Sequence, residues 1–206
     1  QEQNSLDLKL KTTGKHYVKN ATALLTLIAS LKLSSSKAIT ALQKWAPSAG
    51  RGQVSEIKFK KGEHSIAIHL IDESYNANPG SIRCSLETLA CIFTNKKNTC
   101  HPNMRIAVLG DMLELGSSEV KEHMNILKFA SLSQIDKLYC VGSRMRKLYD
   151  VLPISKRGFW TETAEDMQHV LVNKLKNGDI VMIKGSFSMR MGIIVSELKR
   201  LNNLEF

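Results

Sequence analysis

The sequence predicts an α/β protein built on a doubly wound, mostly parallel sheet, with a short helical segment ahead of it. Three observations carry this. The short apolar runs Ile106–Leu109, Leu138–Val141 and Ile180–Ile183 each lead into a polar, glycine-bearing loop, and runs of that length and composition are strands buried on both faces. Segments of helical period separate them, and strands alternating with helices make parallel sheets. Ahead of them, two stretches of period two flank a Lys-Gly-Glu turn, which is the pattern of a hairpin.

In chain order, Leu6, Leu8 and Leu10 alternate with polar partners and predict a short strand that Gly14 ends. An Ala- and Leu-rich helix is expected from Val18 to Leu33. A second starts at Ser34 to Ser36, runs to Trp45 and is stopped by Pro47. A strand and two helices are too little to bury a core of their own. Residues 1–48 therefore read as the tail of a domain whose beginning is absent, and 49–206 as a domain, with Ala46 to Gly52 (APSAGRG) as the boundary.

Beyond it, Gln53 to Lys60 and His64 to Ile71 form the hairpin. The second strand leads into Leu70 to Ser81 (LIDESYNANPGS), where Asn78 can cap a helix and Pro79 suits its first turn. That helix is expected to reach Phe93, with Ile82, Leu86, Leu89 and Ala90 on one face. A further helix is expected from Ser118 to Leu132, and a short one from Met145 to Val151. Phe159 and Trp160 suggest a brief strand, Thr163 and Asp166 a capped helix to Leu175, and Met191 to Leu201 the last helix.

Composition narrows the function. No apolar run approaches the roughly 20 residues that span a bilayer, and the first residues resemble no signal peptide. The four cysteines, Cys84, Cys91, Cys100 and Cys140, lack metal-ligand spacing. Free, mostly buried thiols in a reducing cytoplasm are expected. The net charge of +10 suggests nucleic acid, but the cations are dispersed and 6% aromatic content supplies no base-stacking platform. A basic surface that attracts small anions fits better, so neither nucleic acid nor a membrane span is expected.

Three strand-end loops carry the polar chemistry: Asp72 to Gly80, Gly110 to Gly116, and Lys184 to Arg190. In a parallel sheet these ends share one edge, where α/β proteins bind ligands. Each alone is an ordinary turn; three together predict a binding edge. KGSFS at Lys184 to Ser188 precedes a helix, whose N-terminus favours an anion. Neither GxxxxGK[ST] nor GxGxxG occurs in the chain. Asp111 and Glu114 could form a carboxylate pair or be ordinary loop residues. His16, His123 and Asn20 are most simply structural or solvated, and no metal site is expected. The residues alone lead to a ligand-binding α/β domain.

Longer motifs add a resemblance. LIDESYNANPGSI, RIAVLGDMLELG, VGSRM and IKGSFSMRM resemble, in order and spacing, the C-terminal part of the Mur ligase family, in the branch that adds D-alanyl-D-alanine. GKHYVKNATALL and the glycine-flanked Arg51 resemble the end of that family's central domain and the junction after it. The resemblance implies an ATP- and Mg2+-dependent amide ligase of peptidoglycan precursor synthesis. Its substrates would be UDP-N-acetylmuramoyl-tripeptide and D-alanyl-D-alanine, joined through an acyl phosphate.

It also implies roles. Asn20 would contact adenine, Arg51 the ribose-phosphate, and Glu73, with Asp72 beside it, the ribose hydroxyls. Asn76 and Asn78 would shape that loop, and Lys184, Ser186 and Ser188 would face the dipeptide or the acyl phosphate. The catalytic residues, the magnesium ligands and the missing N-terminal and central domains would lie upstream, which makes the chain a fragment inactive alone. It departs from the family pattern at Tyr17 (usually Asn), Glu73 (usually Asp) and Phe187 (usually Arg). The alternatives are another Mur-type or folylpolyglutamate-type ligase, or a non-catalytic nucleotide- or anion-binding module.

Overall fold

A computed structural model describes residues 7–12, 14–92 and 103–202. It opens with α1 (Lys15–Ser30) and α2 (Ser35–Lys44), followed by the hairpin β1 (Gln53–Lys61) and β2 (His64–Glu73) and then α3 (Pro79–Cys91). Next come β3 (Arg105–Gly110), α4 (Glu119–Asn125), β4 (Lys137–Val141), α5 (Ser143–Val151) and β5 (Arg157–Thr161). The chain closes with α6 (Ala164–Lys174), β6 (Ile180–Lys184) and α7 (Gly192–Asn202). The six strands lie in the order β1-β2-β6-β3-β4-β5. Only the β1–β2 pair is antiparallel among these pairings. The expected doubly wound, mostly parallel sheet is what forms.

Alternation along each strand sends neighbouring side chains to opposite faces, and each face has its own core. Ile106, Val108, Val181 and Ile183 join Met167 and Leu171 of α6 and Ile194 and Leu198 of α7. Ala107, Leu109, Ile180 and Met182 join Ile82, Leu86 and Leu89 of α3 and Met145 and Leu148 of α5. The start of α3 is capped as its sequence predicts. Asn78 Oδ1 accepts the Ser81 N–H at 2.8 Å, Ser81 Oγ accepts the Asn78 N–H at 2.9 Å, and Pro79 occupies the first turn. Thr163 Oγ1 likewise accepts the Asp166 N–H at the start of α6.

Two expectations need correction. Residues 7–10 are half-buried at alternate positions, as the leucines predicted, but form no strand. A strand exists through its ladder partner, and among the described residues no strand of the sheet pairs with residues 7–10; Leu6 lies outside the described residues. The helix expected from Ser118 to Leu132 stops at Asn125. A 3-10 turn (Ile126–Lys128), an extended Phe129 (φ −74°, ψ 122°) and a second 3-10 turn (Ala130–Gln134) replace its second half. In one continuous α-helix Ile126 would point roughly 120–180° away from Leu132 and Ile135. The break lets all three pack into the same core. Of the helix expected to reach Phe93, that last residue lies outside the described set, as does Cys100.

The helical pair at the start is little buried. Ala21 alone is buried in α1 and no residue is buried in α2. Val18, Leu24, Leu27, Leu31 and Leu33 are exposed. Among the described residues no helix is long and apolar enough to cross a membrane.

Candidate functional site

The carboxyl ends of β2, β6 and β3 lie side by side at the middle of the sheet. Lys184 is the register partner of Glu73 on one flank and of Leu109 on the other. The loops leaving these ends are the three that carry the polar residues, and Ser186 staples them together. Its N–H donates to Asp111 O at 3.0 Å. Its hydroxyl accepts the Leu113 N–H at 2.7 Å and donates to Ala77 O at 3.4 Å. The convergence expected of the three loops is therefore physical contact.

Charge at this edge is paired. Lys184 Nζ donates to Glu73 Oε2 at 3.2 Å and to the Asn76 main-chain oxygen at 3.0 Å. The two side chains are 3% and 14% exposed. Asp72 points the other way: it accepts from Gly50 N–H at 3.0 Å and from the Ser74 hydroxyl at 2.6 Å. It thereby pins the boundary segment to the end of β2.

A cavity of about 410 Å3 opens at this edge, lined in part by Tyr17, Trp45, Arg51, Glu73, Asn78 and Lys184. That volume falls within the range of small-molecule sites, about 300–1,000 Å3. One wall comes from the helical pair. The Tyr17 hydroxyl donates to the Arg51 main-chain oxygen, and the Tyr17 ring lies 5.7 Å from that of Trp45. Burial, and after it the negative charge of Glu73, push the Tyr17 phenol above its ordinary pKa. On the other wall the Arg51 guanidinium stacks 3.9 Å over the Tyr75 ring, which in turn lies 5.9 Å from Phe187. A carboxylate, a guanidinium and flat aromatic surfaces around one cavity suit a ligand with hydroxyls, a ring and negative charge.

Of the residues singled out in the sequence, Arg51, Glu73, Asn76, Asn78 and Lys184 line this cavity. Asn20, Asp72, Ser186 and Ser188 are outside its lining. Asn20 is exposed one turn further along α1, and Ser188 is exposed on a 3-10 turn. Asp72 and Ser186 are buried, 3% and 4% exposed, with their oxygens engaged by the protein. The KGSFS segment does not open directly into a helix. The 3-10 turn Phe187–Met189 and Arg190, left-handed at φ 52°, come before α7.

The possible Asp111–Glu114 pair is not one. Asp111 is buried and accepts from the N–H groups of Arg144 and Met145 at 3.1 and 2.7 Å, capping α5, while Glu114 is exposed. His123 is structural: fully buried, it accepts the Met112 N–H at Nε2 (2.9 Å), and its Nδ1 lies 2.6 Å from Glu119 O. Cys140 is buried, but Cys91 is exposed, against the expectation of mostly buried thiols.

Sequence reasoning missed Tyr17, Trp45 and Pro47 as lining residues. The available signal was two aromatic residues bracketing a helical pair next to a Gly-Arg-Gly boundary. A larger, more apolar cavity of about 830 Å3, lined in part by Val54, Ile71, Cys84 and Ile92, lies away from the strand ends. No group of three or more His, Cys, Asp or Glu among the described residues could hold a metal ion.

Comparison with known proteins identifies the family of this fold. The family described as "Mur ligase, glutamate ligase domain" matches residues 59–187. A UDP-N-acetylmuramoyl-tripeptide–D-alanyl-D-alanine ligase of Rickettsia prowazekii is 26% identical over 92% of this chain and 39% of its own length. The crystal structure of MurF from Acinetobacter baumannii superposes with a TM-score of 0.72 at 24% identity, over 94% of this chain and 39% of that one. MurF from Thermotoga maritima, solved in complex with ADP, gives 0.64 at 23% identity over 85% and 36%. The chain thus spans about two-fifths of the length of the curated relatives it matches. With a family match over well more than half of its residues and a six-stranded sheet of the same fold, the chain belongs to the Mur ligase family.

Proposed function

We propose that this chain supplies the nucleotide-facing part of an ATP-dependent amide ligase that adds D-alanyl-D-alanine to UDP-N-acetylmuramoyl-tripeptide in the cytoplasm. The observation that carries the reading is the single cavity in which Glu73, Arg51, Asn76 and Asn78 meet aromatic surfaces from the helical pair. The names of the relatives, and the ADP bound to one structural neighbour, support it. In this reading a tripeptide carboxylate, activated as an acyl phosphate, is attacked by the amine of the dipeptide and phosphate leaves. Positioning supplies much of the acceleration in such reactions.

The roles follow from the cavity. Glu73 Oε1 accepts from the ribose hydroxyls, since a carboxylate accepting from two hydroxyls makes strong, charge-assisted bonds. Arg51 faces the ribose-phosphate part and keeps Tyr75 in place by stacking. Tyr17 and Trp45 flank the base, the place that the family resemblance gave to Asn20. Residues 1–48 belong to a preceding nucleotide-binding domain, which accounts for helices that bury almost nothing of their own. Magnesium would accompany the phosphates, and its ligands are proposed, as the family resemblance implies, in the part of the relatives' length that this chain does not span.

Isothermal titration of the chain with ATP tests this. Glu73→Ala is expected to weaken binding about tenfold, ~1.4 kcal/mol. Equal affinities for the two proteins would remove Glu73 from the site.

A further inference from the structure

The family resemblance makes Lys184 a substrate ligand, but its surroundings point to another task. Its side chain is 3% exposed, and two of its three N–H donors are engaged, one by Glu73 Oε2 and one by Asn76 O. Glu73 and Lys184 are register partners on adjacent parallel strands, so the backbone sets their encounter. Among the described residues no hydrogen bond reaches Glu73 Oε1, and Glu73 lines the cavity. An untethered glutamate would have to give up rotamer freedom when a ligand bound. The Lys184 ammonium has already fixed it, and through Asn76 O has fixed the loop that carries Asn78.

We propose that Lys184 is a positioning residue, which holds Glu73 and the Asn76 loop so that Oε1 is preset for the hydroxyls of a ribose, and which does not itself contact the ligand. This deepens the nucleotide reading above and rests on it. It predicts a signature that a direct phosphate or substrate contact would not give: losing the lysine should erase discrimination at the sugar while sparing affinity for the rest of the nucleotide.

The test is titration of the chain with ATP and with 2′,3′-dideoxy-ATP, which lacks both ribose hydroxyls. The unaltered chain is expected to prefer ATP about tenfold. In Lys184→Met the preference should shrink to about twofold or less, with affinity for the dideoxy nucleotide within about threefold of the starting value. Lys184→Arg, which keeps a cation beside Glu73, should retain most of the preference. Circular dichroism checks folding, and Lys184→Gln replaces the methionine variant should that fail to fold. An unchanged ATP-to-dideoxy ratio in the uncharged variant, whether or not both affinities fall, overturns the positioning role. Absence of any preference in the unaltered chain is a different failure, because it removes the ribose reading of Glu73 itself.

Discussion

Ser186 Oγ accepts the main-chain N–H of Leu113 at 2.7 Å, joining the loop after β6 to the loop after β3. Ser186 is 4% exposed, so its removal would leave a donor with little access to water. Ser186→Ala is expected to destabilise the fold by about 1–2 kcal/mol, read as a lower urea midpoint. It should also weaken ATP binding, since Ala77 on the neighbouring loop loses its hydroxyl partner. An unchanged midpoint would show that the staple is not needed to hold the loops.

Gly52 sits at φ +95°, and a Cβ built there would overlap the Tyr17 hydroxyl. Gly62, in the hairpin turn, has φ +62° and nothing within 4 Å of the same position. Both positions penalise an L side chain through the backbone, but only Gly52 adds a clash. Gly62→Ala should cost about 1 kcal/mol and Gly52→Ala at least ~2 kcal/mol. Gly52→Ala should also displace Tyr17, visible as altered fluorescence of Trp45. Equal losses at the two glycines would show that Tyr17 is not seated against Gly52.

Alkaline pH should unfold this protein early. Burial, and then the Asp111 charge, push the Cys140 thiol well above its ordinary value of 9.0, and burial also raises Tyr139 and Tyr17. The sign follows from proton counts. Above pH 9 the unfolded chain releases the Cys140 proton while the folded chain keeps it, so stability is fully present below that pH and declines above it. The slope from this thiol approaches about 1.4 kcal/mol per pH unit. Urea titrations between pH 8 and 11 should show the fall, and Cys140→Ala should flatten it while lowering stability at pH 8. A parallel fall in the variant would assign the slope to the tyrosines alone.

The fold was legible where local pattern and tertiary demand coincide. The all-apolar strands, the hairpin and the Asn78-Pro79 helix start follow from neighbours in sequence, and each formed. The pattern failed where a distant partner decides. Alternating leucines at 8 and 10 had no strand to pair with, and the broken helix after Asn125 answers to the sheet beneath it. The site divides in the same way. That three polar loops share an edge follows from strand direction, but which side chains face the cavity does not. Tyr17 reaches Arg51 across 34 positions and Lys184 reaches Glu73 across 111; no spacing rule contains either contact. The same chemistry that marked Asp72, Ser186 and Lys184 as ligands also suits them to hold loops, and all three are buried with polar atoms engaged by the protein.

The register of β6 against β2 gives the pairing at the strand ends a second meaning. A slip by one residue would set Ile183 or Gly185 opposite Glu73. A mostly buried carboxylate would then face no cation, an arrangement that breaks a buried pair and is heavily penalised. The pairing therefore acts as a check digit for assembly, because a sheet joined in the wrong frame is unstable and, if Glu73 holds the ribose as proposed, blind to nucleotide. In a refolding experiment, recovered nucleotide binding would count correctly framed molecules, a quantity that helix content alone would miss.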